Sequence, residues 1–133
     1  MGSISSERSA SGKNALKIQD LDTDKGSNVQ SAPMPATAGA AFELRGQYYP
    51  VSGDGIGMYV RFYDERGNPL NEAGERGDAS SAGRLGGADK TWTPFAFRFE
   101  TPRGAASMAL WIHSFNRSVV EGFLDDLAIV PAQ

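Results

Sequence analysis

Apolar and polar residues alternate strictly in at least four stretches of this chain, and no stretch of ten or more residues carries a helical period. In 41–48, Phe42, Leu44 and Tyr48 share one parity. In 56–64, Ile56, Met58, Val60 and Phe62 fall on one side, with Tyr59, Arg61 and Tyr63 on the other. In 93–100, Phe95, Phe97 and Phe99 alternate with Ala96, Arg98 and Glu100. In 107–113, Met108, Leu110 and Ile112 alternate with Ala109, Trp111 and His113. Successive side chains of a strand point to opposite faces, so period 2 predicts half-buried antiparallel strands. Shorter candidates are 15–19, with Leu16 and Ile18 inward, 28–31, and 123–130, with Leu127 and Ile129 inward.

Turn chemistry falls between these runs. Pro33, Pro35 and Gly39 separate two of them, Gly53-Asp54-Gly55 reads as a hairpin turn, and Glu65-Arg66-Gly67-Asn68 makes another turn. Residues 71–90 hold almost nothing to bury and read as a long loop, functional or mobile. About eight short strands with regular turns predict an all-β fold: a single antiparallel β-sandwich of jelly-roll type. No internal repeat or second domain is visible. At 133 residues the chain suits one domain, and sixteen Gly with seven Pro suit a turn-rich one. Met1-Gly2-Ser3 reads as an expression scar, leaving 4–133 as the module.

Composition removes several function classes. Thirteen Lys and Arg against sixteen Asp and Glu give a net charge of −3, without the basic stripe that nucleic-acid binding requires. No apolar run is long enough to span a bilayer. The absence of cysteine excludes a disulfide scaffold, a thiol nucleophile and a cysteine zinc site. One histidine excludes histidine-clustered metal sites and most triads.

Three segments together resemble the carbohydrate-binding modules of families 4, 9, 16 and 22. Ser5-Ser6-Glu7-Arg8-Ser9-Ala10-Ser11-Gly12-Lys13-Asn14-Ala15-Leu16-Lys17-Ile18 is similar to their opening S-E-x-A-x-S-G-K-x-[SA]-L-K-[IV]. Val60-Arg61-Phe62-Tyr63-Asp64-Glu65-Arg66-Gly67 is similar to a strand and turn midway through them. The third segment runs from Trp92 through Phe97-Arg98-Phe99-Glu100-Thr101-Pro102-Arg103-Gly104-Ala105 to Phe123-Leu124-Asp125-Asp126-Leu127-Ala128-Ile129, similar to their ending. Order and spacing agree over 5–130. The N-G-x-F-E strand with which such modules often begin has no counterpart here.

The resemblance implies non-catalytic binding of a polysaccharide or oligosaccharide on a concave sheet. The module would be attached to the catalytic domain of a secreted, extracellular glycoside hydrolase or polysaccharide lyase, and a monomer is expected. Tyr59, Arg61, Tyr63, Trp111 and His113 all have parity opposite to the buried residues. Aromatic rings pack on the C–H faces of pyranoses, and a guanidinium supplies forked donors to their hydroxyls. The resemblance puts these two strands on one sheet. Arg45 and Gln30 are further candidates, and convergence of Arg45, Arg98 or Arg117 with Arg61 would favour an anionic glycan. Trp92 is expected to plug the sandwich end, and Phe115 and Phe123 to anchor core or loops.

Asp125 shares the parity of Leu127 and Ile129, which would turn its carboxylate inward, where it must be neutral, paired or metal-bound. The resemblance implies a structural Ca²⁺ held by Asp125, Glu7 and main-chain oxygens at Gly12 and Lys13, a hard-oxygen set. Pairing with Lys or Arg, or bonding to turn amides, is the alternative for this carboxylate. For the whole chain the alternative is a structural or adhesion β-sandwich that meets proteins rather than sugars. A hydrolase or lyase jelly roll using Tyr59, Arg61, Tyr63 and His113 is a third reading.

Overall fold

The computed structural model describes residues 1–132. Their strands are β1 (Gly2–Ser5), β2 (Ala15–Asp20), β3 (Asn28–Gln30), β4 (Met34–Pro35), β5 (Ala41–Gly53), β6 (Ile56–Tyr63), β7 (Pro69–Leu70), β8 (Ser80–Leu85), β9 (Thr93–Glu100), β10 (Ser107–His113) and β11 (Val120–Pro131). They form two antiparallel sheets. One has the order β1-β2-β11-β5-β9; in the other, β3, β10, β6 and β7 are neighbours in that order, β4 also pairs with β10, and β8 with β6. The chain is an all-β sandwich, as its alternation predicts. The strands that the alternation does not reveal are β1, β4, β7 and β8.

The sheets close over one apolar interior. Ile18, Leu44, Tyr48, Val120 and Leu124 of the first sheet meet Ile56, Met58, Leu85, Leu110 and Ile112 of the second. Val60, Phe62, Leu70, Ala105 and Met108 continue the core toward the other end. Each large side chain removed from water here contributes about 1.5–3 kcal/mol. Burial also pushes the Tyr48 hydroxyl up to about 12, since a phenolate would lose its hydration. Gly122 leaves room for that ring: a Cβ there would come within 2.7 Å of the Tyr48 hydroxyl.

Three sequence expectations change. Gly53-Asp54-Gly55 is not a hairpin: β5 and β6 belong to different sheets, and the segment crosses between them. Both glycines have φ of +99°, and a Cβ would lie 2.0 Å from the Val119 carbonyl at Gly53 and 2.3 Å from that of Leu85 at Gly55. Turn residues mark where a chain reverses without saying which sheet it re-enters. Second, part of the expected 71–90 loop is β8, antiparallel to β6 from Ile56↔Leu85 to Val60↔Ser80. Its Ser, Ala and Gly residues show no amphipathic pattern because β8 is held by its backbone ladder. Gly83 lies so close to Phe97 that a Cβ would meet the ring at 2.5 Å.

Third, the register of β11 shifts between Asp125 and Ala128, where Asp126 takes φ of +53°. Phe123 and Asp125 pair with Tyr49 and Gln47, on the outer side of β5, whereas Ile129 pairs with the buried Leu44. The bulge exchanges the two faces, so Asp125 points outward, not with Leu127 and Ile129 as its parity predicts. Gly2 and Ser3 lie in β1, opposite Ile18 and Lys17.

Candidate functional site

The outward side chains of the second sheet form a continuous aromatic and cationic strip. β6 and β10 pair with Trp111 opposite Tyr59, Ala109 opposite Arg61 and His113 opposite Gly57. Alternation in both strands sends Met58, Val60, Phe62, Leu110 and Ile112 into the core and these residues to the other side, where Tyr59, Arg61, Tyr63, Trp111 and His113 are half-buried. Tyr59 meets Trp111 edge-on at 5.5 Å between ring centres and His113 at 4.6 Å. Trp111 and His113 lie 4.8 Å apart. The Arg61 guanidinium sits over the Trp111 ring, 4.2 Å from its centre. Gln30, opposite Trp111 on β3, donates its side-chain amide to the Tyr63 hydroxyl at 3.3 Å. Six of the residues picked from sequence (Gln30, Tyr59, Arg61, Tyr63, Trp111 and His113) therefore stand together.

Two further members extend the strip. Phe115 contacts the His113 ring at 4.9 Å, and the Arg84 guanidinium lies 4.6 Å over Phe115. Phe115 continues the parity of Trp111 and His113, a signal present in the sequence, although the residue lies beyond the strand. Arg84 stands opposite Gly57 and bonds the Asp54 carbonyl; its segment has no alternation from which its direction could be read. Gly57 is what lets the rings approach, since a Cβ there would meet Tyr59 at 2.6 Å and His113 Nε2 at 3.0 Å.

Buried polar groups fix the end of the strip. The Ser114 hydroxyl donates to the buried Asp20 carboxylate and accepts the Ser27 amide at 2.7 Å. His113 Nδ1 lies 2.9 Å from the Ser114 carbonyl. A carbonyl only accepts, so Nδ1 carries the proton and Nε2 is the free ring nitrogen.

Arg45 does not join this strip. It lies on β5 of the other sheet, opposite Ala96, and Arg98 is on β9 beside it. Parity reports the direction of a side chain relative to its own sheet and is silent about which sheet that is. Trp92 does not plug the sandwich end; it rests edge-on against Tyr49, 5.5 Å away, with Tyr49 on the outer side of the first sheet. Phe123 is buried on that side beneath Arg8, whose guanidinium lies 4.3 Å from the Tyr49 ring centre and 5.1 Å from that of Phe123.

The residues expected to hold calcium do not fit a cation. Asp125 Oδ2 accepts the amides of Ala10 and Ser11 at 2.8 and 3.1 Å, and its Oδ1 accepts the Asp126 amide at 2.8 Å. The loop thus presents N–H donors to this carboxylate where a cation would need oxygens. Glu7 pairs with Lys17 at 2.8 Å, and the Gly12 carbonyl accepts the Ser9 hydroxyl at 3.0 Å. Lys13 is exposed. Among the described residues no group of three or more His, Cys, Asp or Glu is placed to hold a metal. Partial desolvation pushes the Asp125 carboxyl up, but the Ser11, Asp126 and Ala10 amides outweigh it and hold the group below the usual carboxylate value. Of the readings open from sequence, bonding to turn amides is the arrangement present.

The architecture is that of carbohydrate-binding modules. The family 16 carbohydrate-binding module-2 superposes with a TM-score of 0.65 at 14% identity, over 97% of this chain and 84% of that one. The CBM22-1 xylan-binding domain from Paenibacillus barcinonensis Xyn10C gives 0.64 at 14% identity, over 100% of this chain and 81% of that one. The enzymatically active domain of bacteriophage CBA120 tailspike protein 4 gives 0.75 at 12% identity, over 99% of this chain but 18% of that one, so this chain spans less than a fifth of its length. Identities this low establish a common fold. No protein-family model and no curated protein matches the sequence.

Proposed function

We propose that the strip on the second sheet binds a polysaccharide or oligosaccharide without cleaving it, and that the module serves to hold an attached catalytic domain at its substrate. The observation that carries this reading is the half-exposed ring series Trp111, Tyr59, His113 and Phe115, flanked by two guanidinium groups. Side chains that merely cover a sheet do not need such a series; contiguous exposed rings mark a contact surface. Pyranose C–H faces suit the rings, and hydroxyls suit the guanidinium, imidazole, amide and phenol groups around them. Tethering supports the functional reading, because a shallow site gains little affinity but raises the effective substrate concentration of whatever is joined to it. A structural neighbour is arranged in this way: the Clostridium thermocellum Xyn10B fragment of CBM22-1 and GH10 modules was crystallised with xylohexaose. Such a role places the protein outside the cell.

Affinity electrophoresis through gels carrying xylan, β-glucan, mannan and uronate polymers tests the reading. Retardation by at least one polymer, abolished in Trp111→Ala, is expected. No retardation by any of them, with the protein folded, would leave the adhesion reading in its place.

A further inference from the structure

We propose that the saccharide taken by this strip is acidic, with a carboxylate or sulfate seated on Arg61. This rests on the saccharide reading above and narrows it. Acidic residues are segregated between the two sheets, although the first also carries Lys17, Arg45 and Arg98. Not one residue of β3, β4, β6, β7, β8 or β10 is Asp or Glu, while Arg61 and Arg84 lie on β6 and β8. The first sheet, by contrast, contains Asp20, Glu43, Glu100, Glu121, Asp125 and Asp126. A protein of net charge −3 thus presents a sheet without acidic residues.

Arg61 stacks on Trp111 but finds no charged partner among the described residues. Its Nε is buried and has no hydrogen-bond partner. Among the described residues no carboxylate lies within 4.0 Å of its guanidinium. Buried donors in native proteins are nearly always satisfied, so an orphaned one takes its partner from outside the chain, a water or a ligand group. The guanidinium is nonetheless held in place, over Trp111 and opposite the small, buried Ala109. A fixed, unpaired guanidinium is a receptor for a planar or tetrahedral anion, which it engages through two donors at once.

The donor balance points the same way. A sugar hydroxyl both donates and accepts, and a site built for neutral sugars benefits from carboxylate acceptors. The strip carries neutral acceptors in the tyrosine hydroxyls, the Gln30 amide and His113 Nε2, but its only charged groups are arginine donors with no carboxylate among them, which complements a ligand group that only accepts. Arg84 also lies over a ring, Phe115, with one guanidinium nitrogen donating to the Asp54 carbonyl and, among the described residues, no carboxylate paired with it, four β6 positions away at the level of Gly57, about 13 Å along the strand direction. Two such seats suit a chain carrying repeated negative charges.

The test compares galacturonan, alginate, hyaluronan and chondroitin sulfate with their carboxyl-reduced or desulfated counterparts, and with neutral xylan and glucomannan. An oligodeoxythymidylate serves as a polyanion that is not a saccharide. Titration calorimetry and affinity electrophoresis on the full chain should show at least one acidic polymer bound roughly tenfold or more tightly than its neutral counterpart. The preference should weaken as NaCl rises toward about 0.5 M. Arg61→Gln should abolish the preference, Arg61→Lys should keep part of it, and Arg84→Gln should reduce it without disturbing Trp111. Loss on carboxyl reduction assigns a uronate, and loss on desulfation a sulfate ester. Equal binding of acidic and neutral forms, or an unchanged preference in Arg61→Gln, overturns the proposal and leaves saccharide binding standing. Binding to no polysaccharide overturns both. Oligodeoxythymidylate bound as tightly as the best glycan overturns the proposal in favour of a nucleic-acid surface.

Discussion

Arg61 and Trp111 stand diagonally on neighbouring strands, and the guanidinium carbon lies 4.2 Å from the centre of the indole ring. Each holds the other for a ligand: the ring restricts the arginine, and the arginine covers one part of the ring. Such a contact at a surface is itself worth about 0.5–1 kcal/mol. Its larger effect is that the ligand need not immobilise either side chain on binding.

Trp111→Ala should therefore cost binding far more than folding. A loss of about 2 kcal/mol or more in affinity is expected, as for a central aromatic contact. Unfolding free energy should fall by about 1 kcal/mol, since the ring lies outside the core. Titration calorimetry and urea unfolding measure the two; a stability loss that accounts for all of the lost binding would refute the assignment.

Gly57 makes a subtler demand. Its Cβ would come within 2.6 Å of the Tyr59 ring and 3.0 Å of His113 Nε2, so one or both must shift. Gly57→Ala should weaken ligand binding severalfold and destabilise by about 1 kcal/mol, typical of overpacking. Unchanged affinity would show that the close spacing of these rings does not matter for recognition.

Asp125 links stability to pH. Because its folded carboxyl is held below the ordinary range, ionisation favours the folded chain. That contribution is complete above the unfolded value near ~3.9 and disappears as pH falls through the lower folded value. Asp125→Ala should cost about 0.5–1.5 kcal/mol at neutral pH, the net worth of hydrogen bonds made at an exposed site. The gap between variant and parent should shrink in acid unfolding below about pH 4. Since amides occupy this carboxylate, excess EGTA should leave the melting temperature unchanged; a drop would restore calcium to the site.

On the outer side of the first sheet, Arg8 spans Tyr49 and Phe123 while the Ala10 and Ser11 amides anchor its loop to Asp125. Arg8→Ala should lower stability by about 0.5–1 kcal/mol without changing polysaccharide retention. A change in retention would move the binding surface, or part of it, to this side.

The hydrophobic alternation of 41–48, 56–64, 93–100 and 107–113 was enough to read an all-β sandwich and the outward set Tyr59, Arg61, Tyr63, Trp111 and His113. Both follow from a local rule, the two-residue period of a strand, which holds wherever the strand pairs regularly. Pairing itself is not local. That Arg45 sits on the opposite sheet, that Arg84 reaches the strip from a segment without any pattern, and that a bulge turns Asp125 outward depend on which backbones meet and in what register. Such contacts join residues far apart along the chain, so single-strand periodicity cannot carry them.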